Sequence, residues 1–372
     1  MNFYVKLEEA EKLYELSNYK KAIKLYEELI EICPKEFKIT DLRNNLGMAY
    51  YNLAMEVPDG DYDEAIGLVK KAKTCFEHIL ETEPDDIDTL SFLGFLVRGV
   101  LDKPQEAINI YKKLVKKEPD NSEHWVELGS CFKAVDNYEN AIECYEKAIQ
   151  LDSKTEAWKR LGFLYLYNLK EYDKALECYL KAENNNPDDL TILSQISKTY
   201  EAMENFEMAI VYAEKGIESE PDSYTLNPLL GRLYLKNGQY KMSIDKYKEH
   251  LNKKPNDSFS WRNLGGTYQK IESFDKAIES YEKALSLSEI DIYSWLGLLN
   301  SLSRKADYTK GKIKCEKAIK ILEPLTEENK ILRKEYFNLW KFLSYFFKQL
   351  GEEEKSRDAN KEAEFRRQFQ SD

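Results

Sequence analysis

All five tryptophans of this 372-residue chain fall on one phase of a period close to 34 residues. Trp125 and Trp158 are 33 residues apart, Trp261 and Trp295 are 34 apart, and Trp125 to Trp261 spans 136, four periods of 34. Trp340 follows Trp295 by 45, one period plus 11. Pro187, Pro221 and Pro255 keep the 34-residue step, while Pro34, Pro84 and Pro119 end comparable stretches. A fixed period of this size marks supersecondary units that cannot bury their apolar faces alone and stack to do so. Length by itself suggests two or three domains, yet a repeat array can absorb all of it.

Within one period, the segment from Trp125 to Ser153 (WVELGSCFKAVDNYENAIECYEKAIQLDS) holds two amphipathic stretches separated by a polar turn at Asp136 and Asn137. Apolar spacing of this kind reads as a helical hairpin. Trp261 to Glu289 (WRNLGGTYQKIESFDKAIESYEKALSLSE) repeats it almost residue for residue. The unit resembles the tetratricopeptide repeat: Trp, Leu-Gly and Tyr in a first helix, then Ala, an aromatic and Ala in a second, closed by Pro. The resemblance covers essentially the whole chain and implies an all-α fold, an α-solenoid wound as a right-handed superhelix of about ten hairpins. The expected units are 3–34, 40–84 with an insertion, 87–119, 122–153, 155–187, 190–221, 224–255, 258–289, 292–323 and an extended, capping 325–370, forming a single array over 1–372.

Close approach of two helices needs a small residue on one and a large side chain opposite. Gly47, Gly94, Gly129, Gly162, Gly231 and Gly265 take the small place on first helices. Ala22, Ala72, Ala107, Ala141, Ala175, Ala209, Ser243, Ala277 and Gly311 take it on second helices, marking nine hairpins. The tenth has Ser356 and Asn360 where the second helix would carry alanine and an aromatic, as a solvent-facing cap should. Insertions at 53–71 and 324–336 are expected to lengthen helices.

The search for chemistry returns little. His78, His124 and His250 lie far apart, and His250 replaces a small second-helix residue, so it reads as a packing histidine. No nucleophile elbow, zinc-protease helix, P-loop, dinucleotide fingerprint or calcium loop is present. Cys75, Cys144 and Cys178 share one repeat position; stacked hairpins hold such positions roughly 8–10 Å apart, beyond disulfide reach, so they read as core thiols. The tryptophans read as core fillers. No catalytic residue, cofactor or metal ligand is expected, and the chain reads as a non-enzyme. The opening MNFYVKLEEAEKLYEL has charges but no apolar signal region, and no run of 18 apolar residues occurs, so a cytoplasmic protein without a membrane role is expected.

In arrays of this family the face of each first helix opposite its buried stripe lines the partner groove, through repeat positions 2, 5, 9, 12 and 13. In the first four units these places hold Glu11, Glu15, Asp41, Asp88 and Glu123 against Arg98 and Lys133, a mildly acidic surface. From the fifth unit on they hold Lys159, Lys198, Arg232, Lys236, Arg262, Lys270, Arg304, Lys341 and Lys348 against Glu156 and Glu201, a basic one in a protein of net charge -12. Arginine forks with Asn263 and Asn300 nearby suit carboxylates, and Phe259, Tyr293 and Tyr345 can flank an extended peptide. The family's two-carboxylate chaperone clamp is not intact: Lys159 matches its first place, but Phe163 stands where Asn is needed and Leu229 where Arg is needed. The expected function is a protein-interaction scaffold or adaptor, taking an acidic peptide or C-terminal carboxylate on units 5–10. The alternatives are RNA binding by the same groove, which the overall acidity disfavours, and self-association.

Overall fold

A computed structural model describes residues 3–58, 60–154, 156–221, 223, 225–326 and 330–368. The expected unit limits at 155, 224 and 370, residue 59 of the first insertion and 327–329 of the second lie outside the described residues. The described chain is helical hairpins throughout. It divides into two compact units, 1–185 and 186–372.

The first unit contains α1 (Phe3–Glu15) and α2 (Tyr19–Glu31), α3 (Ile39–Met55) and α4 (Tyr62–Thr82), α5 (Ile87–Phe95) and α6 (Pro104–Lys117), α7 (Ser122–Ala134) and α8 (Tyr138–Leu151), then α9 (Ala157–Phe163) and α10 (Tyr172–Asn185). The second contains α11 (Leu190–Ala202) and α12 (Phe206–Ser219), α13 (Leu226–Lys236) and α14 (Tyr240–Lys253), α15 (Ser258–Lys270) and α16 (Phe274–Leu287), α17 (Ile292–Arg304) and α18 (Tyr308–Leu322), then α19 (Lys330–Gln349) and α20 (Glu353–Arg367). The insertions do lengthen helices: α3, α4 and α19 run 17, 21 and 20 residues, where a standard pair such as α7 and α8 has 13 and 14.

The glycine–aromatic rule holds in six hairpins. A Cβ on Gly129 would meet the Tyr145 ring at 2.8 Å and the Ala141 carbonyl oxygen at 3.2 Å. Gly47 faces Phe76, Gly94 faces Tyr111, Gly162 faces Tyr179, Gly231 faces Tyr247 and Gly265 faces Tyr281 in the same way. Where serine takes a small position it bonds across the pair: Ser197 donates to the Ala209 carbonyl at 2.7 Å and Ser243 to the Gly231 carbonyl at 2.7 Å. In the last hairpin Ser344 and Ser356 exchange hydroxyl-to-carbonyl bonds of 2.9 and 3.0 Å. Only Ala359 and Ala363 of α20 are buried, so its other face is left to solvent.

First helices start on short polar caps. Asp86, Asn121, Asp189, Asp257 and Asp291 each accept from a backbone N–H of the first turn, satisfying donors that have no partner within the helix. The tryptophans differ from expectation. Trp295 is buried, but Trp125, Trp158 and Trp261 are only partly so. The indole N–H of Trp125, Trp158, Trp261 and Trp295 donates to the carbonyls of Pro119, Ser153, Pro255 and Glu289 at 2.8 to 3.0 Å. Each therefore ties its first helix to the end of the preceding repeat as well as filling space.

One local irregularity was not anticipated. Gly94 to Tyr111 and Gly162 to Tyr179 are 17 residues apart, against 16 for Gly129 to Tyr145. The extra residue is absorbed as π-helix at Leu96–Val100 and Leu164–Leu169, just after α5 and α9. This keeps the second helix in register, and such turns concentrate at functional sites.

Candidate partner-binding site

In the second unit α13 packs on α15, α15 on α17 and α17 on α19, so successive first helices form one continuous face. At the start of this unit, where side chains of α11 and α13 meet, three of the expected basic residues converge. Arg232 donates to Glu201 Oε2 at 2.7 Å, and the Lys236 ammonium lies 3.0 Å from Glu201 Oε1. Glu201 is 11% exposed, so its carboxylate is largely consumed in holding these two cations. Lys198 is half-buried beside them; burial pushes its pKa below the usual lysine range, the Arg232 charge adds to this, and Glu201 opposes it. Three cations thus surround a single acid, and Arg232 Nε is buried with no acceptor.

Arg262 is committed elsewhere. It bonds to Asp291 Oδ1 at 2.9 Å and lies between the Phe259 and Tyr293 rings, 4.8 and 5.6 Å from their centroids. Asp291 caps α17, so Arg262 stitches α15 to the start of the next hairpin. Asn263 Nδ2 is buried without a partner. Asn300 accepts from Gln269 Nε2 at 3.4 Å; Gln269 also donates to the Gly297 carbonyl at 2.8 Å and accepts from the Tyr281 hydroxyl at 2.9 Å. Gln269 closes part of the expected groove, and sequence reasoning missed it because its acceptors Gly297 and Asn300 lie in the following repeat. Arg304 is exposed, 3.9 Å from Glu272. Lys270, Lys341 and Lys348 are exposed, and Lys341 sits over the Phe337 ring at 4.7 Å. Lys159 belongs to the first unit, where it pairs with Glu156 at 2.7 Å.

The basic excess read from groove positions is therefore smaller than a count implies, since Asp291 and Glu272 lie outside those positions yet reach into them. Removing Arg232, Arg262 and Arg304 together is not a clean test of binding, because losing Arg262 also leaves the half-buried Asp291 without its cationic partner.

The remaining titratable groups behave as packing elements. His124 and His250 are buried and bond to Glu118 and Asp257, each at 2.9 Å. Burial acts against the Asp257 charge, but hydrogen bonds from Ser260 and His250 win and draw its pKa down. All six cysteines are free and five are buried; burial pushes Cys75 up to about 11, and Cys144 and Cys178 up to about 12. Clefts of about 330 and 320 Å³ recur beside Trp158 and Trp261, at the same place in two repeats. They follow from repeat packing. Among the described residues no three His, Cys, Asp or Glu side chains are grouped to hold a metal, and no helix is long and apolar enough to cross a membrane.

Helical hairpins of this length, with a small-on-aromatic contact and a first-helix face carrying the charges, define a tetratricopeptide-repeat protein, a class of protein-interaction scaffolds. More particularly, the chain belongs to the family described as Intraflagellar transport protein 56, whose model matches residues 93–332. It is similar to the general transcriptional corepressor trfA of Dictyostelium discoideum, 30% identical over 34% of this chain and 9% of the relative. It is similar also to the BBSome complex member BBS4 of Bos taurus, 26% identical over 56% of this chain and 43% of that one. The chain thus spans less than half the length of either relative. Among solved structures it matches YrrB, described as a TPR protein with an unusual peptide-binding site, with a TM-score of 0.44 at 18% identity over 50% of this chain and 95% of the other.

Proposed function

We propose that this chain is a non-catalytic adaptor of the cytoplasm that holds an acidic peptide or protein segment, a C-terminal carboxylate included, on the first-helix face of its second unit. The observation that carries this reading is the convergence of Lys198, Arg232 and Lys236 on the single carboxylate of Glu201. A second acid, brought by a partner, would offset the cationic excess and add to the weak counter-charge that Glu201 gives Lys198. Lys270, Arg304, Lys341 and Lys348 form an exposed basic rim that steers an acidic segment inward. Arg262, Asn263 and Asn300 hold the floor rather than the ligand. A preformed face leaves most of the ordering entropy on the peptide. That one matched relative is named as a member of a complex supports a scaffold role. RNA is the poorer occupant, because a protein of net charge -12 repels a phosphate backbone and Arg232 and Arg262 are already paired with acids.

Titration calorimetry of the full chain with a ten-residue Glu-Leu peptide ending in a free carboxylate tests this. Lys198→Ala combined with Arg232→Ala is expected to weaken binding by about tenfold or more, as loss of charge-assisted contacts does. An unchanged Kd, with the variant still folded, overturns the proposal.

A further inference from the structure

The first unit, whose groove positions read as mildly acidic, holds a cationic and aromatic cluster of its own. The guanidinium of Arg98, in the π-helical turn Leu96–Val100, meets Glu127 of α7 at 2.6 Å. Its Nε is buried with no acceptor, so Glu127 does not use up its donors. Lys133, at the end of α7, has its ammonium 4.6 Å from the Phe163 ring centroid. Burial lowers the Lys133 pKa, and the charges of Arg160 and Arg98 lower it further. Arg160, on α9, is partly buried. Lys133 thus lies under the like charges of Arg98 and Arg160, of which Arg98 is paired with Glu127, while Asp88 and Glu123 sit exposed in the first turns of α5 and α7.

The aromatic side of the cluster is equally unusual. Phe163 and Tyr167 are 39% and 44% exposed, with ring centroids 4.5 Å apart. Phe163 occupies the place where the family's clamp carries asparagine, so an apolar platform replaces an amide. Tyr167 lies in the second π-helical turn, Leu164–Leu169, as Arg98 lies in the first. The two one-residue insertions of the repeat therefore both deliver side chains to this cluster. An adventitious expansion of two helices has no reason to coincide with it.

We propose that the first-helix face of the first unit is a second binding site, formed by Arg98, Lys133 and Arg160 with Phe163 and Tyr167, for an acidic protein segment in which a carboxylate adjoins an aromatic or aliphatic side chain. The carboxylate sits among the three cations and is drawn in by their excess over Glu127; the apolar neighbour stacks on Phe163 and Tyr167. This site is independent of the one assigned to the second unit. With both occupied, the chain bridges two acidic segments and not one.

Photo-crosslinking locates the two sites separately. An eight-residue peptide alternating Asp and Phe, with one Phe replaced by benzoylphenylalanine, is irradiated on the full chain and the adducts are mapped by mass spectrometry. Adducts within residues 92–170 are expected. They should fall about tenfold in Lys133→Met and in Arg160→Gln, the scale of one lost charge-assisted contact, and persist in Arg232→Gln. The twin peptide with every Asp changed to Asn should give none. A thermal melt no lower than that of the parent chain shows the variants folded, and Phe163→Ser gives a further arm that touches no charge. Adducts confined to the second unit, adducts in the first unit insensitive to these variants, or no adducts at all would overturn the proposal. So would displacement of the peptide by an oligothymidylate with the same sensitivity to the variants, which would assign the cluster to nucleic acid. Failure of the second-unit site alone leaves the first-unit adducts in place.

Discussion

Lys133 and Lys198 occupy comparable ground in the two units: each is a partly buried ammonium on a first helix, beside an arginine locked to a glutamate of an adjacent first helix. Burial and like charge depress both pKa values, which makes each charge a cost of folding rather than a gain. The sign follows directly. The unfolded chain holds the proton more firmly than the folded one, so the penalty is present at neutral pH and is relieved as pH rises toward the ordinary lysine value of 10.5. Lys133→Met keeps the apolar stem over Phe163 and removes the charge, so its melting temperature should exceed that of the parent at pH 7 and the advantage should fade toward pH 10.5. A lower melting point at pH 7 would show the ammonium to be compensated within the fold. A stabilising substitution at a binding residue is what a site held at the expense of stability should give.

At the scale of the element, two glycines make opposite predictions. Gly129 lies against Tyr145 and the Ala141 carbonyl, with no room for a methyl group, whereas Gly67 lies within α4 with nothing within 4 Å of where a Cβ would be. Gly129→Ala should destabilise by about 1–3 kcal/mol through overpacking, and Gly67→Ala should stabilise by roughly 0.5–1 kcal/mol through helix propensity. Chemical denaturation monitored by circular dichroism measures both. The contrast was half legible in sequence. Gly129 recurs at the repeat position of Gly94 and Gly162, and that recurrence marks a packing contact; Gly67 lies in an insertion with no counterpart. The π-helical turns were legible as well, since the step from Gly to the facing aromatic is 17 in two hairpins and 16 in the hairpin between them. It takes a residue-level alignment of the repeats, rather than their average period, to find them.

For the whole molecule, the two compact units set the expectation that residues 1–185 and 186–372, expressed apart, each retain helical circular dichroism and unfold cooperatively, because each stacks several hairpins against one another. Loss of helix in either fragment would show that unit to depend on its neighbour. The period, the hairpins, their turns and most of the glycine-on-aromatic contacts were written in the sequence, because each is a local matter: the partners are 16 or 17 residues apart in five hairpins, and 29 apart only where the first insertion separates Gly47 from Phe76. The charges are a different case. Arg98 meets Glu127, Arg232 meets Glu201 and Arg262 meets Asp291 across repeats, 29, 31 and 29 residues apart. A long side chain on a groove position can point to a neighbour's acid or to open solvent, and no periodicity distinguishes the two. Sequence alone determined which face carries charge. Only the packing of one hairpin on the next decided which cations are already neutralised and which, Lys133 and Lys198 foremost, stand with more positive than negative charge around them.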